Sequence, residues 1–302
     1  MRSRVQSLAK ELNYRPNPFA RSLRKESSHI IGVVVPNLVT QYFASVMNGI
    51  DECAQENGFM VIATNSQESH EREKILIDNL LNMHVDGIIA CLAQDTVEYQ
   101  HYDKVYLSGT PLVFFTRTCM TDLCSSVVAD SVSAAQKATQ HLIDNGCRRI
   151  AFLGGPAHLD LVARRKHGYL EALKENRMPI DRSLVVYEKI DHDLICERVR
   201  ELLAREDRPD AFIAFNDIAT FAAYETVKAE GLRIPEDVAV IGFTNSDAAI
   251  RVTPKLSVIM DQDDIQGRTA CELLMEKIQG KREIRQVKIP MKLQFRESTI
   301  RG

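Results

Sequence analysis

From residue 30 onward, short apolar runs alternate with longer amphipathic stretches. The runs fall at 30–36, 59–64, 85–92, 111–116, 126–129, 149–153, 184–187, 210–215 and 238–243. Most are too short for helices and rich in Val and Ile, so they predict strands. Helical periodicity fills 43–57, 71–83, 133–145, 162–176, 194–206 and 219–230. Three of these stretches stop at Asn57-Gly58, Asn145-Gly146 and Glu230-Gly231, where glycine suits the left-handed residue that ends a helix. Strands alternating with helices predict an α/β fold of parallel sheets covered on both faces. The pattern runs twice, over about 30–130 and about 148–260, and predicts two doubly wound lobes with a ligand cleft between them. The tail adds a helix at 266–280 and one strand at 287–295.

Composition narrows the classes. A chain of 302 residues suits about two domains of ~150 residues. Hydrophobic residues at 45% and charged residues at 26% exclude a disordered, collagen-like or wholly coiled-coil chain. There is no run of ~18 apolar residues to span a membrane, and the basic N-terminus lacks the apolar core of a secretory signal. Seven cysteines, an odd number without a CxxC pair, predict buried free thiols in a reducing cytoplasm. The net charge of −3 hides an asymmetry: residues 1–25 carry +6 and the rest −9. A basic arm on an acidic body predicts that the arm meets a polyanion.

Signatures of catalysis are missing. The sequence holds no GxGxxG, GxxxxGK[ST] or GxSxG, so no nucleotide cofactor is expected. His70-Glu71 opens an HExx stretch, but Lys74 stands where the second zinc ligand belongs. Asp191-His192-Asp193 reads better as a helix cap or loop than as a metal site, because sequence neighbours mostly point apart. The expectation is a protein that is not an enzyme and needs no cofactor.

The basic arm breaks into a helical pattern at 3–12, the interruption Asn13-Tyr14-Arg15-Pro16-Asn17-Pro18, and a short second helix at 19–24. With the following IIGVVVPN it resembles the junction of headpiece, hinge and core in the LacI/GalR family of bacterial transcription regulators. Similarity continues through Tyr42-Phe43, Val85-Asp86-Gly87, Asn145-Gly146, Arg165 ahead of Gly168-Tyr169, Phe215-Asn216-Asp217, and Ile234-Pro235-Glu236-Asp237 leading to Gly242-Phe243.

The resemblance implies two lobes of the type I periplasmic-binding-protein kind, preceded by the remnant of a helical DNA-binding headpiece and a hinge helix. It places the remnant at 1–28, one lobe at 29–145 plus 261–288, and the other at 146–260 plus 289–302. It implies a cytoplasmic homodimer whose hinge helices enter the minor groove of operator DNA. Leu23 would be the wedge, Ala20 the close helix contact, and Asn17, Arg21 and Arg24 further DNA contacts. The likeness begins at the third headpiece helix, so operator reading is expected of a full-length form and only weak, unselective binding of these 302 residues.

For the effector, the resemblance implies contacts from Tyr42, Phe43, Arg117, Asp130, Arg165, Ile190, Asn216 and Thr244. Packing inside the lobe is the alternative for Phe43, helix capping for Asp130, and a structural ion pair for Arg165. Thr116 and Thr244 stand where the family commonly has aspartate. Ile190 replaces a stacking aromatic, and Leu159 and Leu161 replace polar groups of a purine-binding member, which disfavours a flat purine. Two carboxylates lost beside two retained arginines predict a positive cleft and an anionic sugar derivative. A neutral sugar is the open alternative. A solute-binding protein without a DNA role is the second functional reading.

Overall fold

The computed structural model describes Glu11 and residues 27–301. The expected hinge, with Asn17, Ala20, Arg21, Leu23 and Arg24, lies outside these residues. The chain is taken up at Asp86, whose carboxylate accepts from the backbone N–H groups of Ser28 and His29 at 2.7 and 3.1 Å.

The first sheet is built from β1 (Ile30–Val35), β2 (Met60–Asn65), β3 (Gly87–Ala90), β4 (Leu112–Phe115) and β5 (Ser125–Ala129). Between them run helices α1 (Gln41–Glu56), α2 (His70–Asn82) and α3 (Gln100–Ser108). In β1, Ile31, Val33 and Val35 face one core, while Ile30 and Val34 face another. That two-residue period on a sheet covered on both sides is why the strand reads as an unbroken apolar run.

Next come α4 (Ser131–Asp144), β6 (Ile150–Gly154), α5 (Asp160–Glu175), β7 (Val185–Tyr187) and α6 (His192–Leu203). Then follow β8 (Ala211–Ala214), α7 (Asp217–Ala229), β9 (Ala239–Phe243) and β10 (Ser257–Met260). The chain ends with α8 (Asp263–Ile278), β11 (Gln286–Ile289) and β12 (Lys292–Gln294). Sheet orders are β11-β5-β4-β3-β1-β2 and β12-β10-β9-β8-β6-β7. All pairs are parallel except β10 with β12. The glycines after α1, α4 and α7 have φ of 77°, 86° and 73°, the left-handed stop that the sequence signals.

Four details depart from the sequence expectation. The strand expected at 287–295 is two strands, β11 and β12, split at Pro290 and entering different sheets. Strand β10 is an additional element, only four residues long. Helix α3 is another, short and with three polar residues in its first four. Helix α4, expected with the first lobe as far as 145, packs on the second sheet instead: its Ala134, Ala135, Ala138 and Leu142 share a core with β6, β8 and β9. There it lies close against α5, where a Cβ on Gly168 would collide with the Val132 carbonyl and Ala135. The chain therefore passes between sheets at Asp130, at 261–262 and at Pro290–Met291.

Helix α8 returns to the first sheet and lies along α1, near β3, β4 and β5. Gly49 and Gly267 let the two backbones touch: a Cβ on either would fall inside the partner's carbonyl oxygen, of Asp264 and Val46 respectively. Among the described residues no helix is long and apolar enough to cross a membrane.

Candidate functional site

Parallel sheets gather loops at the carboxyl ends of their strands, and the two sheets turn those ends toward each other. The cleft between them is a cavity of about 110 Å³. Its first wall comes from Asn37, Thr40, Tyr42 and Phe43 after β1, Glu68 after β2, and Thr116 and Arg117 after β4. Its second wall comes from Leu161 and Arg165 after β6, Ile190 after β7, Phe215 to Ile218 after β8, and Phe243 to Asn245 at β9. Asp261, after β10, closes the base.

Seven expected effector residues therefore meet in one place: Tyr42, Phe43, Arg117, Arg165, Ile190, Asn216 and Thr244. Asp130 is not among the lining residues. It sits at the crossing from β5 to α4, where its backbone N–H donates to the Ile289 carbonyl at 2.8 Å. It occupies the N-cap position of α4, yet its side chain makes no capping bond. Asn216 does cap a helix: its Oδ1 accepts from the Ala219 N–H at 2.9 Å, which fixes the side chain at the mouth of α7.

Arg165 is 4% exposed. It donates to the Phe215 carbonyl, and its Cζ lies 3.8 Å from the Phe243 ring centroid. Nη2 is 3.6 Å from an Asp261 carboxylate oxygen, and Nε has no hydrogen-bond partner among the described residues. Burial lowers its pKa to about 10 against the opposing pull of Asp261, so it remains a cation at neutral pH. Burial likewise raises the Asp261 carboxyl, with Arg165 resisting. Asp261 also accepts from Gln266 Nε2 at 2.8 Å, and Gln266 Oε1 accepts from the Tyr42 hydroxyl at 3.0 Å. This network ties the second lobe to the first across the cleft base.

Arg117 is held by a fork: Nη1 and Nη2 donate to the two Glu68 oxygens at 2.7 and 3.0 Å. Burial weighs most heavily against its charge, but the Glu68 carboxylate, with Cys91 and Tyr42 beside it, raises its pKa on balance. Asp217 is raised by burial, and one of its oxygens is buried without a partner among the described residues.

The expectation of a positive cleft needs correcting here. The two guanidinium groups share the lining with the carboxyl groups of Glu68, Asp217 and Asp261. Counting only the aspartates replaced by Thr116 and Thr244 missed these three. Asp217 adjoins the motif residue Asn216 and was within reach of the sequence. Asp261 follows β10, a strand too short to read, and nothing in the sequence joins Glu68 to Arg117.

Beside the base, Asp263 accepts from Asn245 Nδ2 at 2.6 Å. Burial first, and then the Asp261 charge, push its carboxyl up to about 8. The unfolded value is near 3.9, so between about pH 4 and 8 the folded chain holds a proton that the unfolded chain lacks. Stability from this group therefore falls as pH rises, by about 1.4 kcal/mol per pH unit while the two states differ by one proton. Asp263→Asn is expected to flatten the decline between pH 5 and pH 9 in urea unfolding. An unchanged slope would place Asp263 in the ordinary carboxylate range.

The metal and cysteine readings can be placed as well. Asp191 caps α6 through the Leu194 N–H at 3.1 Å, and His192 pairs with Asp193 and Glu225. All seven cysteines are buried free thiols.

Comparison with known proteins accounts for this architecture. Residues 28–297 match the family described as periplasmic binding proteins and sugar binding domain of LacI family. Catabolite control protein A of Priestia megaterium is 31% identical over 302 residues, covering 99% of this chain and 90% of that protein. A structure titled transcriptional regulator CelR-cellobiose complex superposes with a TM-score of 0.82 at 30% identity, covering 98% of this chain and 90% of that one. A structure titled periplasmic binding protein/LacI transcriptional regulator from Alkaliphilus metalliredigens QYMF, complexed with D-xylulofuranose, gives a TM-score of 0.78 at 26% identity, covering 90% of this chain and 100% of that one. Regulators rather than plain solute-binding proteins are thus the relatives, and this chain belongs to the LacI family of ligand-responsive bacterial transcription regulators.

Proposed function

We propose that the effector is a neutral carbohydrate, bound between the lobes. The observation that carries this reading is the pairing of both cleft arginines with carboxylates, Arg117 with Glu68 and Arg165 with Asp261. An anion would have to compete with those carboxylates. A sugar hydroxyl can instead accept from a guanidinium and donate to a carboxylate at once, and so fits between them. Phe43, Phe215 and Phe243 offer apolar surface to the C–H faces of a ring. The relatives complexed with cellobiose and D-xylulofuranose support the same class.

In this reading, binding changes the relation of the two lobes and thereby the affinity for operator DNA. The DNA contacts come from the basic N-terminal segment, in a homodimer acting in the cytoplasm, where the operator is. The chain itself does no chemistry on the sugar.

A thermal-shift screen of neutral sugars, sugar acids and sugar phosphates tests the effector class. A ligand at 100 times its Kd stabilises the folded state by about 2.7 kcal/mol, enough for a clear shift. Neutral sugars are expected to raise the melting temperature. Shifts from acids or phosphates alone would overturn the neutral reading.

A further inference from the structure

Beyond the cleft itself, a polar seam joins the lobes across its mouth. Gln94, on the loop after β3, reaches the second lobe twice: its Oε1 accepts from the Ile190 N–H at 2.9 Å, and its backbone carbonyl accepts from His158 Nε2 at 2.7 Å. Beside it, Asp160 accepts from the Thr118 N–H and hydroxyl at 3.2 and 2.6 Å.

The loop that presents Gln94 is clamped at both ends. Glu68 accepts the Gln94 N–H at 2.7 Å while also holding Arg117 in the cleft. Glu73, fully buried in α2, accepts from the Ala93 N–H, the Thr96 hydroxyl and His101 Nε2 at 2.6, 3.0 and 2.8 Å. A loop fixed in this way transmits position rather than yielding, so the bond to Ile190 sets a distance. Ile190 is itself a wall of the cleft.

We propose that Gln94 is a specificity-determining residue that fixes the spacing of the lobes at the cleft mouth and so limits the length of the bound ligand. The proposal rests, for the nature of the ligand, on the carbohydrate reading above. The cavity of about 110 Å³ is far below the ~300–1,000 Å³ that encloses drug-sized ligands. It suits no more than one sugar ring. A second ring that extends past Glu68 and Ile190 meets the Gln94–Ile190 bond. A longer ligand therefore binds only by breaking that bond, and a shorter one leaves it intact.

Two measurements on the whole chain test this with Gln94→Ala. The first is hydrogen exchange at the Ile190 amide, which needs no ligand. Loss of the acceptor is expected to speed exchange by about three- to tenfold, the range set by one hydrogen bond. The second is calorimetric titration with glucose, ribose and cellobiose. The ratio of disaccharide to monosaccharide affinity is expected to rise by at least about fivefold, through a weaker cost of opening the mouth. Gln94→Glu keeps an accepting oxygen and is expected to match the parent in exchange and in the ratio.

An unchanged Ile190 exchange rate in Gln94→Ala overturns the proposal whether or not any sugar binds. Faster exchange with an unchanged ratio also overturns it, because the seam would then be structural only. If no sugar binds either protein, the carbohydrate reading fails, and the exchange rate alone decides whether Gln94 holds the lobes.

Discussion

Arg165→Ala is expected to abolish the melting-temperature rise that a bound carbohydrate produces. The guanidinium lies at the base of the cleft, bonded to the Phe215 carbonyl and facing Asp261, through which it joins the Gln266–Tyr42 network of the first lobe. Its Nε is buried without a partner among the described residues. Charge-assisted hydrogen bonds from a buried cation contribute about 1.5–3 kcal/mol each, so losing one or two weakens binding on the order of 100-fold. The same substitution strips Asp261 of its cation. Breaking a buried pair from one side costs about 3–5 kcal/mol, although here the raised Asp261 carboxyl can take up a proton and soften the loss. The double variant Arg165→Ala, Asp261→Asn is therefore expected to recover stability but not binding. Lysine is expected to restore little of either, since it lacks the planar fork and stacks poorly on Phe243. Calorimetry and urea unfolding on the three variants check both halves. Binding within about threefold of the parent in Arg165→Ala would remove the residue from the site.

Glu73→Ala is expected to cause a large loss of stability at a residue that does not itself line the cleft. The carboxylate is fully buried and accepts from three donors. Alanine leaves the Ala93 N–H, the Thr96 hydroxyl and the His101 ring unsatisfied, along with the volume of the side chain. Each orphaned buried donor costs about 1–3 kcal/mol, so a total near 3 kcal/mol is a conservative expectation. That lowers the melting temperature by about 6–12 °C for a lobe-sized unit. Glu73→Gln keeps the shape and one accepting oxygen, and is expected to lose less than half as much. Differential scanning calorimetry distinguishes the two. Equal losses would show that volume, rather than the three bonds, matters at this position.

Much of the fold was legible because buried parallel strands announce themselves. Val33 and Val34 must both be apolar when β1 is covered on two faces, and the glycines after α1, α4 and α7 mark the helix ends. What escaped was whatever needs the third dimension. Nothing in the periodicity of α4 says which sheet it covers; its close contact with α5 at Gly168 and its shared core with β6, β8 and β9 appear only in the fold. Proline at 290 ends one strand, but only packing sends β11 and β12 to different sheets.

The site divides along the same line. Tyr42, Phe43, Arg165 and Asn216 carry motifs that can be matched position by position, and they meet in the cleft. Their partners do not. Glu68 and Arg117 are 49 positions apart, and they follow β2 and β4, which β1 and β3 separate in the sheet. The electrostatic inference failed because charge in a cleft is a sum over residues brought together by folding. A sequence reveals which carboxylates are missing from a motif more readily than which ones arrive from elsewhere.

Helix α8 has a consequence for how the molecule is made. The first sheet needs α8 against α1 and β11 beside β5, and both are encoded after residue 262. When a ribosome has released the first 130 residues, β5 still has an open edge. The face that will receive Leu273, Leu274 and Met275 is still bare. The second sheet, by contrast, is nearly contiguous and lacks only the three-residue strand β12. Domains usually mature in the order of synthesis. Here the lobe translated first must wait for the lobe translated second. A released fragment ending near residue 260 is expected to hold a protease-resistant second half and a sensitive first half. The long interval with an exposed apolar face and strand edge is the stage at which aggregation is expected to compete most with folding.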